Sequence, residues 1–150
     1  MELSEDGTGS ATVNNTGNIF VRLGYRYTSR LIWLSPGAQV NVSFHSKKFH
    51  ENITVEGTDS NINTFLNSNV YKYATIDDCS KGEMEYISFA DSLLNANLAF
   101  LEKENFSAEF KQQEALRLKY YTYQILPSFR YFHSRIAQEP DYSESPAYWS

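Results

Sequence analysis

A single cysteine, Cys79, occurs in the 150 residues of this chain. An intrachain disulfide and a C-x-x-C redox pair are therefore both excluded. No apolar run approaches the ~18 residues that a membrane-spanning helix requires, so no membrane span is expected. Positive charge is scarce as well: 13 Lys and Arg stand against 18 Asp and Glu, a net charge of −5. Phosphate backbones are held by clustered cations, so no nucleic-acid partner is expected either. Lys47 and Lys48 form the one basic pair, which reads as a solvated turn. Residues 1–17 read as a flexible lead-in; their first ten lack the basic start and apolar core of a signal peptide. G-x-S-x-G, P-loop, G-x-G-x-x-G and H-E-x-x-H patterns are all missing.

Hydrophobic residues nevertheless make up 41% of the chain and charged residues only 21%, which is enough to build a packed core. Eleven tyrosines and ten phenylalanines suit half-buried faces, where a ring packs and a hydroxyl stays wet.

Residues 18–57 carry a period of two. Ile19, Val21, Leu23, Tyr25 and Tyr27 alternate with Phe20, Arg22, Gly24 and Arg26, which predicts a strand over 18–27. Residues 30–34, with Trp33, make a second strand. Ser35-Pro36-Gly37 supplies a turn, because proline fixes φ at the corner and glycine accepts a positive φ. Val40, Val42 and Phe44 mark a third strand, and Ile53 and Val55 a fourth. Such short links predict an antiparallel sheet, half of a sandwich, with 11–13 as an added edge strand.

At Gly57 the period changes to 3.6. Ile62, Phe65, Leu66 and Val70 form a helical stripe that Thr58, Asp59 or Ser60 is placed to cap. Residues 82–137 then predict two long helices joined at Asn105, Phe106 and Ser107. The first gathers Tyr86, Phe89, Ala90, Leu93, Leu94, Phe100 and Leu101 on one side, opposite Glu85, Ser88, Ser92, Asn95 and Lys103. The second gathers Phe110, Leu118, Tyr121, Ile125 and Phe129, with Ser107 as N-cap and Glu109 in its first turn. Pro127 should end or kink it. The expected fold class is α+β: an antiparallel β subdomain over 18–57, then an antiparallel helical hairpin or bundle over 58–137 packed on it. Residues 138–150 read as a tail or linker.

Chemistry-bearing residues are few. Cys79 lies beside Asp77 and Asp78, whose charges raise a thiol's pKa and make it a poor nucleophile. His45, His50 and Glu51 match no standard metal-ligand spacing, and His133 stands isolated near a helix end. The acidic pairs Asp77/Asp78 and Glu83/Glu85 have no partner across a cleft. Sequons at Asn14, Asn41, Asn52 and Asn105 are what chance supplies in a chain so rich in Asn, Ser and Thr. Asn97 falls on the apolar side of its helix, where it needs a backbone carbonyl or tyrosine hydroxyl to avoid a cost of about 1–3 kcal/mol. No catalytic residue, cofactor or metal is expected. Trp33, Tyr120 and Tyr123 are the candidate exposed aromatics for binding a partner.

Three stretches together resemble one family. Leu31-Ile32-Trp33-Leu34-Ser35-Pro36-Gly37 with the strand to Phe44 is similar to its strand–turn–strand motif. Ile53-Thr54-Val55-Glu56-Gly57 through Asn63, Phe65 and Leu66 is similar to its crossover from sheet to helix. Phe100-Leu101-Glu102, Phe110-Lys111 and the tyrosine-rich helix to Tyr131 resemble its paired-helix insert. The family is the N-terminal region of exported, TlpA-like thioredoxin-fold proteins of Bacteroidetes. The resemblance implies a non-catalytic accessory domain of a thiol–disulfide oxidoreductase, in the periplasm or cell envelope. Its partners would be a C-terminal thioredoxin-like domain, another protein or a second copy of itself. The rival expectation is an independent envelope binding module for carbohydrate or protein. Ala38 stands where the family pattern has an acidic residue, and the W-C-x-x-C motif is missing.

Overall fold

The structure, a computed structural model, describes residues 4, 5, 8–49, 51, 53–124, 126–143 and 145–146. Their fold is α+β, with two compact units over residues 1–70 and 71–150.

In the first unit, β1 (Ile19–Tyr25) and β2 (Thr28–Leu34) pair antiparallel, from Ile19 opposite Leu34 to Tyr25 opposite Thr28. That register leaves Arg26 and Tyr27 as a two-residue loop, so β1 stops short of the expected Tyr27. Arg26 takes the left-handed conformation at φ 54°. Pro36 and Gly37 then turn the chain, with Gly37 at φ 75° and Ala38 N donating to Ser35 O at 3.1 Å. Next come β3 (Val40–Ser43) and β4 (Thr54–Gly57), which pair with each other. The expected single sheet is thus two separate two-stranded ladders among the described residues.

The reason lies in helix α1 (Ser60–Leu66). Asn63 accepts from Trp33 N at 2.7 Å and donates to Trp33 O at 3.0 Å, while the carboxamide of Asn67 donates to Leu31 O at 2.9 Å. Residues two apart on a strand present their backbone groups to the same edge. The edge of β2 turned away from β1 is therefore occupied by side chains, and β3 cannot pair there. The spacings match: four helical residues rise about 6 Å, two strand residues about 6.6 Å.

Residues 11–13 form no strand. Val13 is exposed, and nearby Asn15 sends its side chain to Gly17 O and Leu34 O instead. Asp59 occupies the N-cap position of α1, but at φ 58° and without a capping bond; its carboxylate accepts from Ser35 Oγ. The core holds Ile32, Trp33, Phe49, Val55, Ile62 and Phe65. Phe49, which sits in what reads as a polar loop, is locked by Arg30 Nε on its carbonyl and by the rings of Tyr25 and Phe44.

In the second unit an extended segment leads to a 3-10 turn at Asp77–Ser80. Three helices come after it: α2 (Glu83–Lys103), α3 (Ala108–Tyr123) and α4 (Phe129–Ile136). Helices α2 and α3 pack as a hairpin. Ser107 caps α3 by accepting from Phe110 N at 3.2 Å, and Lys111 reaches back to Glu102 O. The buried stripe of α2 is Tyr86, Ala90, Leu94, Asn97 and Leu101; Phe100 is part-exposed, its ring edge-on to Tyr71. Asn97 donates to Lys72 O at 2.7 Å and accepts from Lys72 N at 3.1 Å, so its partner is a carbonyl. Pro127 lies in a 3-10 turn, Leu126–Ser128, that separates α3 from α4. Ile125, placed on the α3 face from the sequence, lies outside the described residues.

His133 is not isolated. Buried in α4, its Nδ1 donates to Cys79 O at 2.7 Å, and its ring stacks on Phe129. A carbonyl only accepts, so Nδ1 carries the proton. Around Cys79, Tyr86 and Phe129 gather Ala74, Ile87, Leu126, Phe132 and Tyr142.

Gly57 joins the end of β4 to the approach to α1. It has φ 98°, and a Cβ there would stand 2.3 Å from Gln39 O. Gly57→Ala should cost about 2 kcal/mol or more, from the unfavourable φ plus the clash. Gly24→Ala, whose added Cβ meets nothing nearer than Thr28 O at 4.0 Å, should be neutral or stabilise by about 0.5 kcal/mol. Urea midpoints of the two variants measure this; equal shifts would contradict it.

Candidate functional site

The second unit contains a cleft of about 260 Å³ lined by parts of four elements. The extended segment brings Lys72, Tyr73 and Ala74, and α2 brings Ala90 and Leu93. Tyr121 and Thr122 come from the last turn of α3, with Gln124 just beyond it, and Phe132 comes from α4.

Two anchors fix the extended wall. Asn97 holds both backbone groups of Lys72. Arg117 Nη2 donates to the Tyr73 hydroxyl at 3.4 Å, and the Tyr73 ring packs on Tyr121 at 4.3 Å between centroids. Arg117 is itself held by Glu114, through Nε to Oε2 at 2.6 Å and Nη2 to Oε1 at 2.7 Å. Glu114 is completely buried, on the stripe between Phe110 and Leu118. The Arg117 guanidinium forks onto both Glu114 oxygens, and the Tyr71 hydroxyl hydrogen-bonds the carboxylate as well.

These contacts set the ionisation states. Burial is the largest single influence and opposes the Arg117 charge, but the hydrogen bonds and charge of Glu114, together with Tyr73, outweigh it and hold the guanidinium firmly protonated. Burial pushes the phenols of Tyr73 and Tyr71 up, the first against the pull of Arg117 and the second with added repulsion from Glu114. Both stay neutral at ordinary pH. Among the residues lining the cleft, Lys72 is the only one of charged type, and none is Asp, Glu, His or Cys. Such a surface is suited to holding a ligand.

The expected aromatics separate. Trp33 is 2% exposed, packed edge-on against Phe20 with its backbone on Asn63, so the expectation of an exposed platform there is corrected. Tyr120 is 72% exposed and Tyr123 46%, the latter donating to Asp91 Oδ1 at 3.3 Å. Neither lines the cleft; Tyr121 between them does. Cys79 is completely buried. Burial is the main cause of its raised pKa; Tyr86 hydrogen-bonds it and works the other way, and Asp78 adds to the rise. The sequence assigns this rise to neighbouring carboxylates, but Asp78 is committed elsewhere, to Thr75 and Lys81, which hold its carboxyl low. His45 accepts from Lys47 N within its own turn, Glu51 pairs with Lys48 at 3.9 Å, and His50 lies outside the described residues. Asn52, of the third sequon, does too. Among the described residues, no three His, Cys, Asp or Glu side chains converge as metal ligands would, and no helix is long and apolar enough to cross a membrane.

Sequence reasoning missed Glu114, Arg117, Tyr73 and Tyr71. A signal was present: Glu114 falls four residues from both Phe110 and Leu118, on the core stripe, with Arg117 three residues on. No family model, curated protein or solved structure matches the chain.

Arg117→Met should cost about 3–5 kcal/mol, because it leaves Glu114 buried without its counter-charge. Replacing both partners, as Glu114→Leu with Arg117→Met, should recover most of that loss. Denaturant midpoints decide: a double variant no more stable than Arg117→Met would mean that the pair itself, not the stranded charge, carries the energy.

Proposed function

We propose that this chain is a non-catalytic accessory region of an exported thioredoxin-like thiol–disulfide oxidoreductase, lending a contact site for a partner or substrate segment. The observation that carries the proposal is the cleft walled by Tyr73 and Tyr121: pre-shaped, mostly apolar, and lined by no Asp, Glu, His or Cys. Preorganised walls favour binding because little ordering remains to be done when a ligand arrives. The motif resemblance supports the assignment to an exported thioredoxin-like parent in the periplasm or cell envelope. Its single cysteine supports an accessory role, since one thiol cannot both attack a disulfide and resolve the mixed product.

A second reading, an independent envelope binding module for carbohydrate or protein, is favoured by the exposure of Tyr120 and Tyr131 outside the cleft. The natural reading frame past Ser150 discriminates. A thioredoxin-like stretch with C-x-x-C is the expected result, and a stop codon there overturns the accessory role. In an insulin-reduction assay the 150-residue chain should show no turnover. Turnover that vanishes in Cys79→Ser would contradict the non-catalytic assignment.

A further inference from the structure

The lining of the cleft is specific enough to name a ligand class, which deepens the proposed contact role and rests on it. Three rings, Tyr73, Tyr121 and Phe132, and three aliphatic side chains, Ala74, Ala90 and Leu93, form most of its wall. Polar groups come from Thr122, Gln124, Lys72 and the hydroxyls of Tyr73 and Tyr121, the first of these hydroxyls held by Arg117. A sugar ring needs a hydrogen-bond partner for nearly every hydroxyl, and no Asp or Glu lines this wall to accept from them. A flat apolar ring needs none, and packs on aromatic faces in offset or edge-on arrangements. At about 260 Å³ the space falls just below the usual range for drug-sized ligands, so one or two fused rings fill it.

Charge narrows the class further. Lys72 is the sole Lys, Arg, Asp or Glu of the lining, and its backbone is held in place by Asn97. Arg117, behind Tyr73, is committed to Glu114 through two hydrogen bonds. Asp91, which accepts from Tyr123, is not part of the lining. With the phenol of Tyr73 neutral, nothing on the wall repels an anion. With a single cationic residue on the wall, one negative charge is balanced and a second is not, so a monoanion matches it better than a doubly charged phosphate.

We propose that the cleft binds a small planar aromatic ligand bearing one carboxylate, its ring against Tyr73 and Tyr121 and its carboxylate at Lys72. Tyr73 is a preset wall: Arg117 holds its hydroxyl and Tyr121 its ring, so the slot exists before the ligand enters.

The probe is indole-3-acetate, titrated into the 150-residue chain and followed by NMR. Resonances of Tyr73, Leu93 and Tyr121 should shift together, with a Kd on the order of 1 mM for a ligand of this size. The neutral indole-3-acetamide should bind about fivefold more weakly, the scale of one partly exposed charge contact. Lys72→Met, which keeps the apolar stem, should weaken the acid by the same factor and leave the amide unchanged. Thr122→Trp, which fills the slot from its wall, should abolish both; Tyr121→Ala provides a second means of removing the site. Equal affinity for acid and amide, or an acid affinity indifferent to Lys72→Met, would overturn the proposal. So would shifts confined to other residues, or saturable binding of N-acetylglucosamine with none of the indole acid. The titration needs no residue beyond Ser150, so this proposal and the accessory role fail separately.

Discussion

A carboxamide side chain has the same donor and acceptor as a peptide group, and this protein uses that equivalence at its two most demanding places. Asn63 closes on both backbone groups of Trp33, and Asn97 does the same to Lys72. Each is on a helix and buried, and each meets an extended segment that no further strand pairs at that point. A buried N–H or C=O left without a partner costs about 1–3 kcal/mol, and each asparagine satisfies two. The first unit can therefore place a helix where a third strand would ordinarily run. The division of its strands into two ladders results from that substitution.

In the second unit the same device positions the cleft. Asn97 fixes the extended segment at Lys72, and the next residue but one, Ala74, reaches the cluster around Cys79. Tyr73 between them is turned toward Arg117, which Glu114 holds in its fork. A fully buried carboxylate in a helix stripe is a weak source of stability in itself, but it specifies geometry, because few arrangements satisfy it. The cleft wall therefore takes its shape from polar groups behind it, while rings and aliphatic side chains make up most of its own surface.

The features legible in the sequence are local. The Ser35-Pro36-Gly37 turn, the Ser107 cap, the break at Pro127 and the need of Asn97 for a carbonyl all depend on neighbours within a few residues or on a helical period. Gly57 marks the change of period and proves to be a position no other residue fills without strain. The readings that needed correction were non-local. Trp33 looks like a surface aromatic until Asn63, 30 residues away, takes its backbone. Asn63, Asn67 and Glu114 obey the buried spacing, yet their polarity hides it, since helical patterns are recognised by apolar side chains. Cys79 reads from the sequence as a poor nucleophile for what proves a secondary reason: burial, not its acidic neighbours, dominates.

The central claim is that side-chain carboxamides stand in for missing backbone partners, and the Trp33 amide tests it most directly. Trp33 N–H faces Asn63, whereas the alternate register directs Ile32 N–H toward β1. In Asn63→Ala, native-state hydrogen exchange at Trp33 should accelerate beyond what the loss of global stability explains, by about tenfold or more. Exchange at Ile32 should track global stability alone. If the two amides lose protection equally, Asn63 does not replace a strand, and the account is wrong.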